Sequence, residues 1–201
     1  PLAATRFQQA LCRALDSRLG VGNAGYRDAE REGWVDTVFL GAFRRDVFSR
    51  FGNFDPCATP NEDAEFNQRI LQGGGRIYLS KAIVVHYVPR QSFGALARQY
   101  FQYGTWRREV MRRHPETVQA RYLAPPVAVA AIGVGVAVGI IGLVVPSAAT
   151  LRLGWLIPGG YAAAVALGGI AISRGESRSV RARVPAVLAA MHLSWGVGFL
   201  T

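Results

Sequence analysis

Three long stretches in the C-terminal part of this chain carry no charge, and they restrict its fold more than any other feature. Residues 127–145, 153–173 and 184–201 contain no Asp, Glu, Lys or Arg. Runs of roughly 18–20 apolar residues are what a helix needs to cross the hydrocarbon core of a bilayer. Inside lipid, backbone N–H and C=O groups must be satisfied within the segment, so each run is predicted to be a transmembrane helix. A soluble fold with three buried helices does not suit runs of this length without charge. Pro125-Pro126 opens this part, and Pro146-Ser147 with Arg152 makes a short loop. Pro158-Gly159-Gly160 falls inside the second span, where bilayer helices tolerate such residues. The third span holds His192 and Trp195. A histidine there marks either a functional group or a hydrogen bond between helices.

Charge collects elsewhere. The 201 residues carry a formal net charge of +10, and Lys81 is the only lysine, so the basic residues are arginines. No nucleic-acid motif is present, and the arginines do not alternate with stacking aromatics on one face, which excludes nucleic acid as a partner. A basic excess beside apolar spans suits an anionic membrane surface instead, with membrane lipids as partners. Arg107, Arg108, Arg112, Arg113 and Arg121 precede the first span. Arg174, Arg178, Arg181 and Arg183 separate the second from the third, and the loop between the first two has only Arg152. The positive-inside rule then puts the N-terminal part and the second loop in the cytoplasm and Thr201 outside. Cys12 and Cys57 have no metal-type spacing and read as reduced core or loop residues. A start at Pro1 reads as the beginning of a piece of a longer protein.

Before the spans, residues 1–19 show apolar residues at near-helical spacing and read as one amphipathic helix. The run Gly20 to Gly25 ends it and reads as a linker, not a dinucleotide fingerprint, because no strand precedes it. Residues 34–41 read as a strand, 44–50 as a short helix, and 61–72 as a helix burying Phe66, Ile70 and Leu71. Gly73-Gly74-Gly75 stop that helix. Residues 76–79 and 82–87 read as strands, and the βα alternation suits an open, parallel α/β sheet. Residues 92–113 carry an aromatic and aliphatic stripe flanked by arginines. Such a helix lies in the membrane interface or packs on the sheet.

The polar residues Asn61, Glu62 and Asp63 open the helix at 61–72. First-turn N–H groups and the helix dipole favour negative charge there, so a carboxylate can stay ionised and act as a base. The other reading makes Asn61 or Asp63 an N-cap. His86 closes an expected strand, as a packed residue or as a ligand.

Taken in order, these pieces resemble the second half of a family 2 glycosyltransferase of the GT-A type, above all the membrane-bound enzymes of the succinoglycan-biosynthesis type. The likeness rests on Gly41-Ala42-Phe43-Arg44-Arg45, the turn Gly52-Asn53-Phe54-Asp55, the pair Glu62-Asp63, Arg69, the turn at Gly73, and His86. It runs from about Gly20 to the C-terminus and is specific as an ordered set. The resemblance implies an α/β fold: residues 1–121 as the C-terminal, acceptor-side part of a Rossmann-like GT-A catalytic domain with an interface helix at 92–113. Residues 122–201 would be the helical membrane domain. It implies an inverting hexosyltransferase at the inner (plasma) membrane, with its catalytic part cytoplasmic. A nucleotide-sugar would be the donor, and a lipid-linked or glycan acceptor would receive the sugar in exopolysaccharide or cell-envelope glycan synthesis. Asp63 matches the family's catalytic base, with Glu62 beside it. Gly41, Arg44, Gln102 and Trp106 match acceptor or substrate positions, and His86 a metal ligand. A divalent cation (Mg2+ or Mn2+) would be held mainly by residues upstream, since no D-x-D occurs here. The chain by itself is therefore expected to lack transfer activity. Gln102 and Trp106 keep two positions of the Q-x-x-R-W motif of processive members, but Thr105 stands where arginine would be, which weakens a claim of processive synthesis. The competing expectation is a catalytically incomplete membrane anchor or partner subunit of a polysaccharide assembly complex.

Overall fold

Helix dominates because most of the chain either repeats apolar residues every three to four positions or is apolar throughout. The computed structural model describes residues 3–22, 31–38, 40–56, 62–113, 115 and 118–201. The chain forms two compact units: Pro1–Gly22 with Val88–Thr201, and Asn23–Tyr87.

The regular elements described in the larger unit are all helices. The amphipathic segment expected as one helix is two, α1 (Arg6–Leu15) and α2 (Arg18–Val21). Thr5 and Gln8 form a capping box at the start of α1, with Gln8 N–H on Thr5 Oγ1 at 3.1 Å. The break at Ser17 follows from its own chemistry: the hydroxyl accepts from the Gly20 N–H at 3.1 Å and caps α2. α5 (Phe93–Arg113) matches its expected range. α6 (Ala120–Val144) starts before the expected span and carries Pro125 and Pro126 inside it. The expected loop after it is a 3-10 helix, Pro146–Trp155, running straight into α7 (Leu156–Ile172). α8 (Arg178–Arg181) is one turn, and α9 (Val184–Leu200) ends the chain. Among the described residues three helical stretches are long and apolar enough to cross a membrane: Ala120–Val144, Pro146–Ile172 and Arg178–Leu200.

Glycine lets these helices approach to backbone distance. A Cβ at Gly135 would lie 2.8 Å from the Gly154 carbonyl oxygen, and one at Gly139 2.7 Å from Trp155 Nε1. α6 and the 3-10 helix therefore meet through small residues, the usual device where lipid gives no hydrophobic drive for association. α5 packs along α9 rather than on a sheet. There Gly104 faces the Trp195 carbonyl, and Gly198 faces the carbonyl of Phe101. Tyr122 stacks on Trp195, and Tyr100 and Tyr103 approach the same indole. α1 buries Ala10, Leu11, Ala14 and Leu15 and packs against α8 and α9. His192 on α9 lies 2.7 Å from the Leu19 carbonyl oxygen through Nε2 and 3.5 Å from the Tyr161 hydroxyl through Nδ1. Its place in the span is thus a packing hydrogen bond.

The smaller unit holds β1 (Gly33–Val35), α3 (Arg45–Phe51), α4 (Glu62–Gln72) and β2 (Ile77–Leu79). β1 and β2 pair antiparallel, with Trp34 opposite Tyr78. Among the described residues this is the only sheet, and it is not the parallel arrangement that the βα alternation suggests. The expected strand at 34–41 shrinks to Gly33–Val35, and the one at 82–87 does not form. There Ile83 and Val84 stand exposed with no neighbouring strand to pair with among the described residues. Phe66, Ile70 and Ile77 make the core, covered by Val35, Phe43, Phe48 and Phe51.

Candidate functional site

α4 builds the site from its first turn. Phe66, Asn67 and Ile70 face the core, so the side chains one turn earlier, Glu62 and Asp63, sit half-buried at the helix start. Asp63 Oδ1 accepts from the Ala64 N–H at 2.7 Å. Asp63 lies one residue inside α4 and so is not its cap, and Asn61, the other residue expected as a cap, is outside the described residues. Burial pushes the Asp63 carboxyl above its ordinary value, the Ala64 N–H opposes this, and the Glu62 charge adds to the rise. The expected ease of ionisation at a helix start is thus outweighed by desolvation. Glu62 Oε2 is buried with no hydrogen-bond partner among the described residues. A buried acceptor without a donor is costly, and a substrate hydroxyl arriving there would remove the cost.

Two further residues shape this corner. Arg69 makes a bidentate pair with Glu65, Nε to Oε1 at 2.8 Å and Nη2 to Oε2 at 2.6 Å. Its Nη1 also donates to the carbonyls of Phe51 at 2.6 Å and Asn53 at 3.0 Å. One guanidinium thereby ties the turn after α3 to α4. Gly52, at φ +80, supplies the backbone bend that presents those carbonyls, a conformation other residues adopt only with strain. Phe54 of the same turn packs on Phe66 at 4.9 Å. Asn67, only 1% exposed, donates through Nδ2 to Thr37 Oγ1 at 3.0 Å and to the Val38 carbonyl at 3.4 Å. Sequence reasoning missed Asn67. The available signal was a polar residue four positions after Asp63, on a face otherwise reserved for the core.

The other expected residues are dispersed. Gly41 is half-buried, and a Cβ there would meet Val38 at 3.0 Å and Phe43 at 3.1 Å. Arg44 precedes α3, exposed, 3.2 Å from Asp46. His86 is exposed in a segment without strand structure. Among the described residues no three His, Cys, Asp or Glu side chains are grouped to hold a metal ion. Gln102, exposed, and Trp106, half-buried, belong to the larger unit, on α5. Cys12 is a free thiol raised in pKa by burial, while Cys57 lies outside the described residues.

The chain thus combines a helical unit with three apolar stretches of membrane-spanning length, among the described residues, and a small unit with a half-buried carboxylate pair on a helix start. The chain is similar to a succinoglycan biosynthesis protein, ExoA of Rhizobium meliloti (strain 1021). The two are 29% identical over 196 residues, which is 96% of this chain and 56% of that protein. The chain thus spans about half the length of the curated relative it matches. No described protein family matches the chain, and no solved structure does.

Proposed function

We propose that this chain is part of an inverting glycosyltransferase at the plasma membrane. It moves a hexose from a nucleotide-sugar to a lipid-linked or glycan acceptor at the cytoplasmic face, in exopolysaccharide or cell-envelope glycan synthesis. One observation carries the reading: a half-buried Glu62–Asp63 pair on the first turn of α4, in a chain similar to a succinoglycan biosynthesis protein along 96% of its length. On this reading residues 1–121 are the acceptor-side part of a GT-A domain, and residues 122–201 the membrane domain.

Asp63 takes the proton of an acceptor hydroxyl while that oxygen forms a bond to the anomeric carbon of the donor. The bond from the anomeric carbon to the diphosphate breaks, and the nucleoside diphosphate leaves with its electron pair. A single displacement inverts the configuration. A carboxylate with a raised pKa is a stronger base, and therefore better matched to a hydroxyl proton. Glu62 accepts a neighbouring hydroxyl and orients the sugar. Gly41, Arg44, Gln102 and Trp106 take the acceptor side. The resemblance also implies a divalent cation, with His86 as one ligand. The described residues form no three-ligand cluster and His86 stands exposed, so they do not make a cation site by themselves. No step is assigned to the ion.

Membranes carrying the full-length protein, supplied with labelled nucleotide-sugars, test the reading. Label should pass into an extractable lipid or glycan fraction, and should fail to pass with Asp63→Asn. Transfer by neither protein, for any donor, would favour the partner-subunit reading. The charge distribution alone puts Thr201 across the membrane, whereas the stacking of Trp195 on Tyr122 sets the C-terminal half of α9 beside the start of α6. A C-terminal reporter that works only in the cytoplasm separates the two, silent for the first and active for the second. Reporter activity would rule out an odd number of crossings.

A further inference from the structure

α5 and α9 touch where Gly104 and Gly198 bring their backbones together. Beside that contact they leave an open groove of about 560 Å3. Its walls are apolar: Ala97 and Phe101 from α5, Leu193 and Val197 from α9. Its polar members are Arg98, Gln102 and Ser194. All three offer hydrogen-bond donors, and Arg98 and Gln102 lie one helical turn apart on the same side of α5. Among the described residues none of the three has a hydrogen-bond or ion-pair partner, and no carboxylate lines the groove.

The surroundings say what medium this groove meets. Trp195 and Gly196 follow Ser194 directly, and they pack on Tyr122 and on the Pro125 carbonyl, 2.5 Å from a Cβ placed at Gly196. Arg107 and Arg121 lie over the Tyr122 ring at 4.1 and 4.9 Å. Tyrosine, tryptophan and arginine at the start of a membrane-length helix are the composition of the bilayer–water boundary, where headgroup phosphates lie. An apolar trough there, with an unpartnered guanidinium and two neutral donors, complements an amphiphile with an anionic, oxygen-rich head.

We infer that this groove binds an anionic bilayer phospholipid, one acyl chain along the Phe101 and Leu193 walls and the phosphate on Arg98. Anionic lipid is favoured over zwitterionic because the chain carries +10 and the groove brings no acid of its own to meet a choline or amine. The inference concerns the membrane unit and does not depend on the transfer reaction. A lipid in place would be a neighbour of Gln102.

The test uses the full-length protein in vesicles of phosphatidylcholine alone, with phosphatidylglycerol, or with an isoprenoid phosphate. Lipid retained after mild detergent extraction is identified by native mass spectrometry. Phosphatidylglycerol should be retained in preference to phosphatidylcholine. Arg98→Gln should weaken that retention about 5-fold, the equivalent of one arginine–headgroup contact. Ala97→Trp fills the trough without touching a charge and should release the lipid at unchanged helix content. Because Arg98 is exposed, its replacement leaves folding intact and keeps the test valid even if Ala97→Trp fails to fold. Equal retention of the two phospholipids, retention indifferent to Arg98→Gln, or selective displacement by the isoprenoid phosphate would each overturn the assignment.

Discussion

The two units hold their shape by opposite means. In the helical unit the decisive contacts are made where side chains are missing: Gly104 and Gly198 between α5 and α9, Gly135 and Gly139 against Gly154 and Trp155. In the smaller unit they are made by large side chains, a cluster of Phe43, Phe48, Phe54 and Phe66 with ring centroids 4.9–6.0 Å apart, and by the Arg69 clamp. The contrast follows from solvent. Apolar side chains gain little from leaving lipid, so helices there associate by close approach. In water the same side chains gain about 25 cal/mol per Å2 buried, so a small sheet and two helices suffice to gather an aromatic core. The smaller unit also accepts a cost the other avoids, two neighbouring carboxylates drawn partly out of solvent.

That cost is where the largest effect is expected. Asp63→Asn in the full-length protein should lower transfer by roughly 10²–10⁴-fold, the range for loss of a general base. Folding should be unchanged or slightly improved, since the amide keeps the shape without the buried charge. Near-normal turnover of this variant would remove Asp63 from catalysis and leave it as a first-turn acid. Adding a side chain to the helical unit should act in the opposite way, on stability alone. Gly104→Leu would drive a branched side chain into the Trp195 carbonyl, which cannot rotate away. A loss of about 3 kcal/mol is expected, read as a fall in the thermal midpoint of the detergent-solubilised protein. A neutral result would mean that α5 and α9 do not pack through glycine.

Arg69→Ala is the matching test on the other side and should cost somewhat less. It removes hydrogen bonds to the Phe51 and Asn53 carbonyls and leaves Glu65 without its partner, about 2 kcal/mol for charge-assisted bonds of this kind. Local hydrogen exchange across residues 45–56 should rise, while α5 and α9 stay protected. If exchange rises equally in both units, the clamp is not local and the contrast drawn between them fails.

The unequal legibility of the two units has the same root. α4, α5 and α9 could be placed from sequence because periodicity, or absence of charge, is local information. The strand expected at 82–87 rested on β-branched composition, which describes a propensity. A strand needs a partner, and none flanks Ile83 and Val84 among the described residues. The break between α1 and α2 hung on one serine hydroxyl, and Pro146 marked the end of α6 without showing that the segment after it winds into a 3-10 helix. At the site, the position of Asp63 was legible, but the sign of its pKa shift was not. Dipole and N–H effects come from neighbours in sequence, whereas burial comes from the whole unit. The contacts that Arg69 and Asn67 make were opaque for the same reason: their partners Phe51 and Thr37 lie 18 and 30 residues away.

Acidification should separate the units by the smallest but most discriminating effect. The folded state holds the Asp63 proton to higher pH than the unfolded chain does, because burial and Glu62 raise its pKa. Its contribution to stability is therefore fully present below the ordinary carboxylate range and is lost as pH rises through the raised value. Glu109 on α5 has the opposite sign. A hydrogen bond from Arg113 at 2.7 Å lowers its pKa, with Arg112 and Arg108 adding to the shift. That contribution is present above the ordinary carboxylate range and is lost as pH falls through the lowered value. Hydrogen exchange corrected for intrinsic rates, compared from about pH 7 to pH 4 around the carboxylate range, should show α4 gaining protection. The C-terminal turns of α5 should begin to lose theirs at the acid end. Asp63→Asn should abolish the first change and leave the second, because the amide no longer titrates while Glu109 still does. Parallel behaviour of both segments, or an α4 response that survives Asp63→Asn, would show that Asp63 is not the group that titrates there.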